Sequence, residues 1–215
     1  MRRAVRVSAG TGHQHNGRTG QIDECQVGVF LTLATAQVNP WLDGELFVPE
    51  AWFTDRMAHR RAKAGIPPDR RFQTKSELAW QLIARAQRQG VPFRSVSMDT
   101  LNGRSHELRQ KLRDAQLEYY ADVPADTHVY LCLPRFVYRI TQRGKRAVHL
   151  DILGVAYEVR ALLDSPALRW HTIALRPNER GVLCAAFTRL LVWTVHQGRV
   201  RQEWLLIRLD ADHIT

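Results

Sequence analysis

Between residues 26 and 124 the hydrophobic pattern alternates between the period of a strand and the period of a helix, and beyond Thr127 the helical period disappears. Residues 26–34 are short, β-branched and apolar on both faces, so they read as a buried central strand. Residues 44–48 read as a second strand after the Asn39-Pro40 turn. Thr74-Lys75-Ser76-Glu77 then fits a capping box, in which a hydroxyl and a carboxylate satisfy the first free amides of a helix. Leu78, Ala79, Leu82, Ile83 and Ala86 mark one face of that helix, and Gly90 with Pro92 stops it. Residues 93–98 predict a strand ending at Asp99. Ser105 caps a second helix that carries Leu108, Leu112 and Ala115 inward. Residues 117–123 alternate as another strand. Strands and helices in alternation are the mark of an α/β layered sheet.

Residues 129–133, 136–140, 148–153, 170–176, 183–195 and 204–209 all favour strands, with one short helix at 158–163. His196-Gln197-Gly198-Arg199 separates two apolar runs as a hairpin loop does. Residues 1–24 are rich in Gly, His, Asn and Gln and read as a loop, with a short strand at residues 5–9. The expected organisation is a glycine-rich loop over 1–24, an α/β unit over 25–126 and a β-rich unit over 127–215.

Composition narrows the function classes. With 215 residues, 45% of them hydrophobic, the chain buries a sizeable core and is not disordered. No run of about 18 apolar residues exists to span a membrane as a helix. Arg6 interrupts anything resembling a signal-peptide core. Cys25, Cys132 and Cys184 form no CxxC pair and read as reduced, mostly buried thiols of a cytoplasmic protein. The six tryptophans read as core or domain-interface anchors.

The net charge of +10, with only four lysines among 31 basic residues, makes a polyanion the leading partner class. Residues 55–71 concentrate Arg56, Arg60, Arg61, Lys63, Arg70 and Arg71 in a segment bracketed by prolines and expected to be exposed. Residues 135–146 carry Arg135, Arg139, Arg143, Lys145 and Arg146 with no acid, and interleave Phe136 and Tyr138. Guanidinium forks suit phosphate oxygens and aromatic faces stack on bases, so this second run is the candidate nucleic-acid surface. The alternative is a solvated face.

Asp99 is the sharpest candidate for chemistry, because it follows a buried strand directly, at the edge where open α/β sheets hold ligands. A carboxylate there can bind a divalent metal through oxygen; it can equally do no more than shape a strand-to-helix turn. His13 and His15 lack a third ligand at a recognised spacing, and Asp122, Asp126 and Asp151 have no evident partner.

Gly20-Gln21-Ile22-Asp23-Glu24-Cys25-Gln26-Val27-Gly28-Val29-Phe30-Leu31 resembles a bacterial insertion-sequence transposase of the DDE-superfamily endonuclease group. So do Leu46-Phe47-Val48-Pro49-Glu50-Ala51-Trp52, Arg61 to Pro67, Phe72-Gln73-Thr74-Lys75, Gly90 through Asp99, Asn102-Gly103-Arg104, Tyr119 to Pro124 and Glu203 to Arg208, in the family's order. The resemblance implies a ribonuclease-H-like core followed by a β-rich insertion domain, and cleavage and strand transfer of double-stranded DNA at transposon ends. It also implies two Mg²⁺ held by two Asp and one Glu, with Asp99 at the place of the second Asp.

In that family the first Asp lies upstream of the segment beginning here, and the Glu lies on a helix beyond the insertion. The chain is therefore expected to be an internal fragment whose core lacks its first strand and last helix, and to be inactive alone. Two Mg²⁺ bring four positive charges and one carboxylate returns one negative, which leaves the ions hydrated. An unpaired strand edge and uncovered sheet surface favour poor solubility or a homo-oligomer. The competing readings are a DNA-binding remnant without catalysis, which in the cell is nucleoid-associated, and a basic structural protein unrelated to transposons.

Overall fold

A computed structural model describes residues 8–17, 19–141, 147–166, 168–178 and 181–210. The chain folds as two units, Met1–Asp122 and Val123–Thr215.

The first unit opens with a hairpin, β1 (Gly12–Asn16) antiparallel to β2 (Gln21–Cys25). The glycine-rich stretch expected as a loop is thus paired strand from Gly12 onward, with Gly17 and Gly20 at the turn; the strand expected at residues 5–9 falls mostly outside the described residues. β3 (Val27–Thr32) and β4 (Trp41–Phe47) form a second antiparallel hairpin. Two short 3₁₀ turns lead into α1 (Ala58–Lys63), and α2 (Lys75–Arg88) follows. Then come β5 (Ser95–Met98), α3 (Thr100–Gly103), α4 (His106–Asp114) and β6 (Glu118–Ala121), with β5 and β6 parallel.

α2 begins as the sequence predicts. Thr74 Oγ1 accepts from the Glu77 amide at 3.2 Å and the Glu77 carboxylate accepts from the Thr74 amide at 2.7 Å. Its apolar face reaches both neighbouring sheets. Leu78 and Leu82 pack on Val29 of β3, while Ile83 packs on Val96 and Met98 of β5 together with Leu108 and Leu112 of α4.

Residues 26–34 are not a central strand buried on both sides. Val29 and Leu31 turn toward α2, whereas Phe30 faces away and is 56% exposed. Its ring lies across Gly28 and Gly44, where an added Cβ would come within 2.7 Å of it, and it meets Trp41 at 4.8 Å between centroids. Among the described residues β1–β2, β3–β4 and β5–β6 are three separate two-stranded sheets, so the layered sheet expected from the sequence is interrupted between β3 and β5.

The 55–71 segment is not an exposed basic run either. The Arg60 guanidinium sits 4.7 Å from the centre of the Trp52 ring, Arg61 donates to the carbonyls of Trp52 and Thr54, and Arg70 pairs with Glu45 at 3.1 Å. Arginine folds back there because Trp52, 2% exposed, closes a small core with Val48 and Ile66 and offers carbonyls and a ring face at its rim. Arg56, Lys63 and Arg71 remain exposed.

The second unit is almost all strand: β7 (His128–Tyr130), β8 (Arg135–Thr141), β9 (Ala147–Leu153), β10 (Ala156–Glu158), β11 (His171–Asn178), β12 (Gly181–His196) and β13 (Arg199–Asp210). The helix expected at 158–163 is one 3₁₀ turn, Val159–Leu162. The described strands form a five-stranded sheet in the order β10-β7-β12-β11 with β13 also on β12, and a separate β8–β9 hairpin. The long β12–β13 hairpin turns at Gln197 (φ 48°) and Gly198 (φ 73°), a two-residue loop with both central φ values positive that matches strand twist. Val129, Leu162, Val192, Leu205 and Ile207 make this unit's core.

Two side-chain expectations fail. Trp52 is a core anchor, but Trp41 and Trp204 are 72% and 62% exposed, Trp204 carrying the Arg189 guanidinium on its face at 4.9 Å. The three thiols are free, and none is buried: Cys25 and Cys184 are half-buried and Cys132 is exposed.

Candidate functional site

Asp99 stands where β5 gives way to α3. Val96 and Met98 point into the core, and the chain must turn at once because Gly103, at the end of the short helix, lies against the end of β6. Asp99 is the N-cap of α3: its Oδ1 accepts the Asn102 amide at 3.0 Å and Asn102 Nδ2 at 3.2 Å. The carboxylate is exposed. It thus does what a strand-end aspartate does structurally, and its second oxygen is left for another ligand.

Beside it opens a cavity of about 240 Å³, continuous with solvent. Leu31 of β3, Ala79 and Ile83 of α2, and Val96 and Met98 of β5 give it apolar walls, and Asp99 is the ionisable group at its rim. Asn102 Oδ1, also on the lining, is buried and has no hydrogen-bond partner. The register ends at Met98↔Ala121 and the Asp122 amide donates to the Met98 carbonyl at 3.0 Å, so a second carboxylate residue, Asp122, follows β6 as Asp99 follows β5. Sequence reasoning gave Asn102 no role at the site and left Asp122 without a partner; the place of Asp122 becomes visible only once the two strands are known to be parallel neighbours.

Other acids of the first unit are engaged elsewhere. Asp43 and Glu45 both bind Arg85, at 2.9 and 2.7 Å, and Glu45 also holds Arg70. Hydrogen bonding from Arg85, against the opposing effect of burial and with Arg70 adding to it, keeps the Glu45 carboxyl below the usual glutamate range. Asp23 accepts from Thr19, and Glu24 lies 3.5 Å from His13 across the first hairpin.

Of the candidate nucleic-acid surface, Arg135 begins β8 and is exposed, and Arg139 lies on the same strand opposite His149. Arg143, Lys145 and Arg146 lie outside the described residues.

The sequence profile of one family, described as DDE superfamily endonuclease, matches residues 1–181. The chain belongs to that family. The match covers β1 through β11 and ends before the run Glu203 to Arg208, which lies on β13. Neither the curated proteins nor the solved structures yielded a match.

Endonucleases of this family act on DNA and typically use divalent metal ions. In the described part of the chain no three His, Cys, Asp or Glu side chains converge as metal ligands. Around Asp99 the donor set is its own carboxylate, the orphaned amide oxygen of Asn102 and, at the end of the neighbouring strand, Asp122. Mg²⁺ takes six oxygens in near-octahedral array, and a two-metal site must also neutralise most of four positive charges. The residues gathered here do not fit such a site by themselves. Among the described residues no helix is long and apolar enough to cross a membrane.

Proposed function

We propose that this chain is part of a transposase-type DNA endonuclease with a ribonuclease-H-like catalytic core, and that Asp99 is its contribution to the metal site. The observation that carries the reading is the family match together with the position of Asp99, an exposed carboxylate closing a parallel strand at the rim of a cavity. The chemistry requires carboxylates from polypeptide other than the residues gathered around Asp99, so the chain alone binds DNA without cutting it. The β-rich unit is the insertion domain, its basic β8–β9 hairpin follows the phosphate backbone of transposon-end DNA, and the protein works in the cytoplasm on the nucleoid.

The test has two parts. Incubated with Mg²⁺ or Mn²⁺ and a transposon-end duplex, the chain gives no strand nicking; nicking that disappears in Asp99→Ala would show that the chain completes the site unaided. Binding to the same duplex weakens steeply with salt, since each neutralised phosphate releases about one counterion and log K falls by roughly 0.9 per phosphate per log unit of salt. A flat dependence removes the DNA-binding surface from the proposal.

A further inference from the structure

We infer that the outer face of the β12–β13 hairpin docks an acidic amphipathic helix of a partner protein. Nearly all of this hairpin lies beyond residue 181, where the family match ends. One of its faces carries Val192, Leu205 and Ile207 into the core of the second unit. Through the register Arg189↔Leu206 and Leu191↔Trp204, the opposite face presents Leu191, Trp204 and Leu206, which are 43%, 62% and 57% exposed. An apolar side chain exposed singly is ordinary, whereas three adjoining ones on laddered strands mark a contact surface.

Charge selects the occupant. Arg189 shares the face, its guanidinium 4.9 Å from the centre of the Trp204 ring, and Arg208 shares it too, opposite Phe187. Stacking uses the flat side of a guanidinium, and its N–H groups lie in the plane, where a carboxylate accepts them in two parallel bonds. Among the described residues of the two strands, from 187 to 195 and from 200 to 208, no acid shares this face. Glu203 is on the core-facing side, where Thr194 donates to it at 2.7 Å. A nucleic acid suits the arginines but leaves Leu191 and Leu206 wet beside phosphates, and a second copy brings the same net charge of +10 against itself. A segment with both apolar and carboxylate side chains satisfies the whole face. It is helical because β12 and β13 are laddered to each other here, so an extended segment laid on their face leaves its own backbone groups unpaired, and a helix pairs them internally. The spacing agrees. Trp204 and Leu206 are two residues apart on one strand, about 7 Å, near the roughly 6 Å between positions i and i+4 of a helix.

The experiment uses the full chain, isotopically labelled, and a blocked helical peptide of about 18 residues, with leucine at i, i+4 spacing along one face and glutamate on its flanks. The readout is the Trp204 indole N–H resonance. It is expected to shift saturably with peptide, and binding is expected to weaken about tenfold in Arg189→Gln. With the unaltered chain, the same loss is expected when the peptide's glutamates are replaced by glutamine, a measurement that does not depend on how the variant folds. No shift at millimolar peptide overturns the inference. Equal binding of the glutamate and glutamine peptides overturns it too, since the face then recognises apolar bulk alone. A mixed-sequence single-stranded oligonucleotide that moves the same resonance at lower concentration than the peptide assigns the face to nucleic acid, and a shift with protein concentration alone assigns it to a second copy; either result overturns the inference.

Discussion

Gly103→Ala is the sharpest test of how the fold fixes Asp99. A Cβ built on Gly103 falls 2.0 Å from the carbonyl oxygen of Asp122 and 3.0 Å from its carbon and nitrogen. The obstacle is backbone, so no side chain can rotate away, and the methyl is at least about 1 Å short of the closest contact a Cβ tolerates. β6 is tied in place there by the Asp122 amide bonding the Met98 carbonyl at 3.0 Å, so the movement must come from α3. Lifting that turn loosens the Asp99 cap, worth about 1 kcal/mol, and the bonds from Gly103 to Asp99 and from Arg104 to Thr100, worth about 1 kcal/mol each. Alanine returns about 1 kcal/mol as the better helix former. The net loss is about 2 kcal/mol. It is measured as a lowered urea midpoint at unchanged slope, with exchange of the Asn102 and Arg104 amides locating the damage. Gly65→Ala is the control: Gly65 has φ +70° and no atom within 4 Å of its added Cβ, so it loses only the left-handed backbone term of about 1 kcal/mol. If Gly103→Ala costs no more than Gly65→Ala, the close approach of α3 to β6 does not determine the placement of Asp99.

Three further outcomes follow from the same contacts. Thr74→Ala removes one half of the α2 capping box and lowers stability by about 1 kcal/mol in urea unfolding, whereas Thr74→Ser retains most of it. The Glu45 carboxyl is depressed in the folded chain, so its stabilisation is complete above the ordinary glutamate pKa and is lost as pH falls through the folded value. Wild-type stability therefore drops below about pH 4, and the drop is smaller in Glu45→Gln, which gives up about 1–3 kcal/mol of charged hydrogen bonding at neutral pH; equal acid sensitivity of the two proteins refutes the assignment. Arg135→Ala reduces the salt slope of duplex binding by about one, uniformly across sequences, if β8 tracks phosphate.

How much of this was legible in the sequence depended on whether the deciding interaction was local. The α2 cap, its apolar face and the Asp99 and Ser105 turns depend on neighbours within four residues, and their hydrogen bonds are those the residue types specify. The β12–β13 turn was legible for the same reason. What failed depends on long-range partners. Residues 26–34 carry apolar side chains on both faces, yet Phe30 remains exposed, its ring lying over Gly28 and Gly44 beside Trp41 on the face away from α2. Arg60, Arg61 and Arg70 looked like free charge because their partners, Trp52 and Glu45, are 8 to 25 positions away and identifiable only after folding. Around Asp99 the acid itself was legible as a strand end. Asn102 Oδ1 and the neighbouring Asp122 were not, since they depend on how α3 and β6 pack.

The same distinction separates scaffold from chemistry at the rim of the cavity. α3 is only four residues long, yet its N-terminus is fixed by three independent constraints: the Asp99 cap, the Gly103 contact with Asp122 and the parallel register of β5 with β6. A carboxylate so firmly placed is well suited to receive a metal, because holding it in position demands no further ordering when the ion arrives. Charge then sets the limit. Asp99 alone offsets a quarter of the charge of two divalent ions, Asp122 at the end of β6 would bring that to a half, and the amide oxygen of Asn102 adds a donor without adding charge. Asp43 and Glu45 cannot be recruited without stripping Arg85 and Arg70 of their partners and leaving half-buried guanidinium groups unpaired. On the proposed function, further carboxylates must therefore come from polypeptide other than these arginine-paired acids.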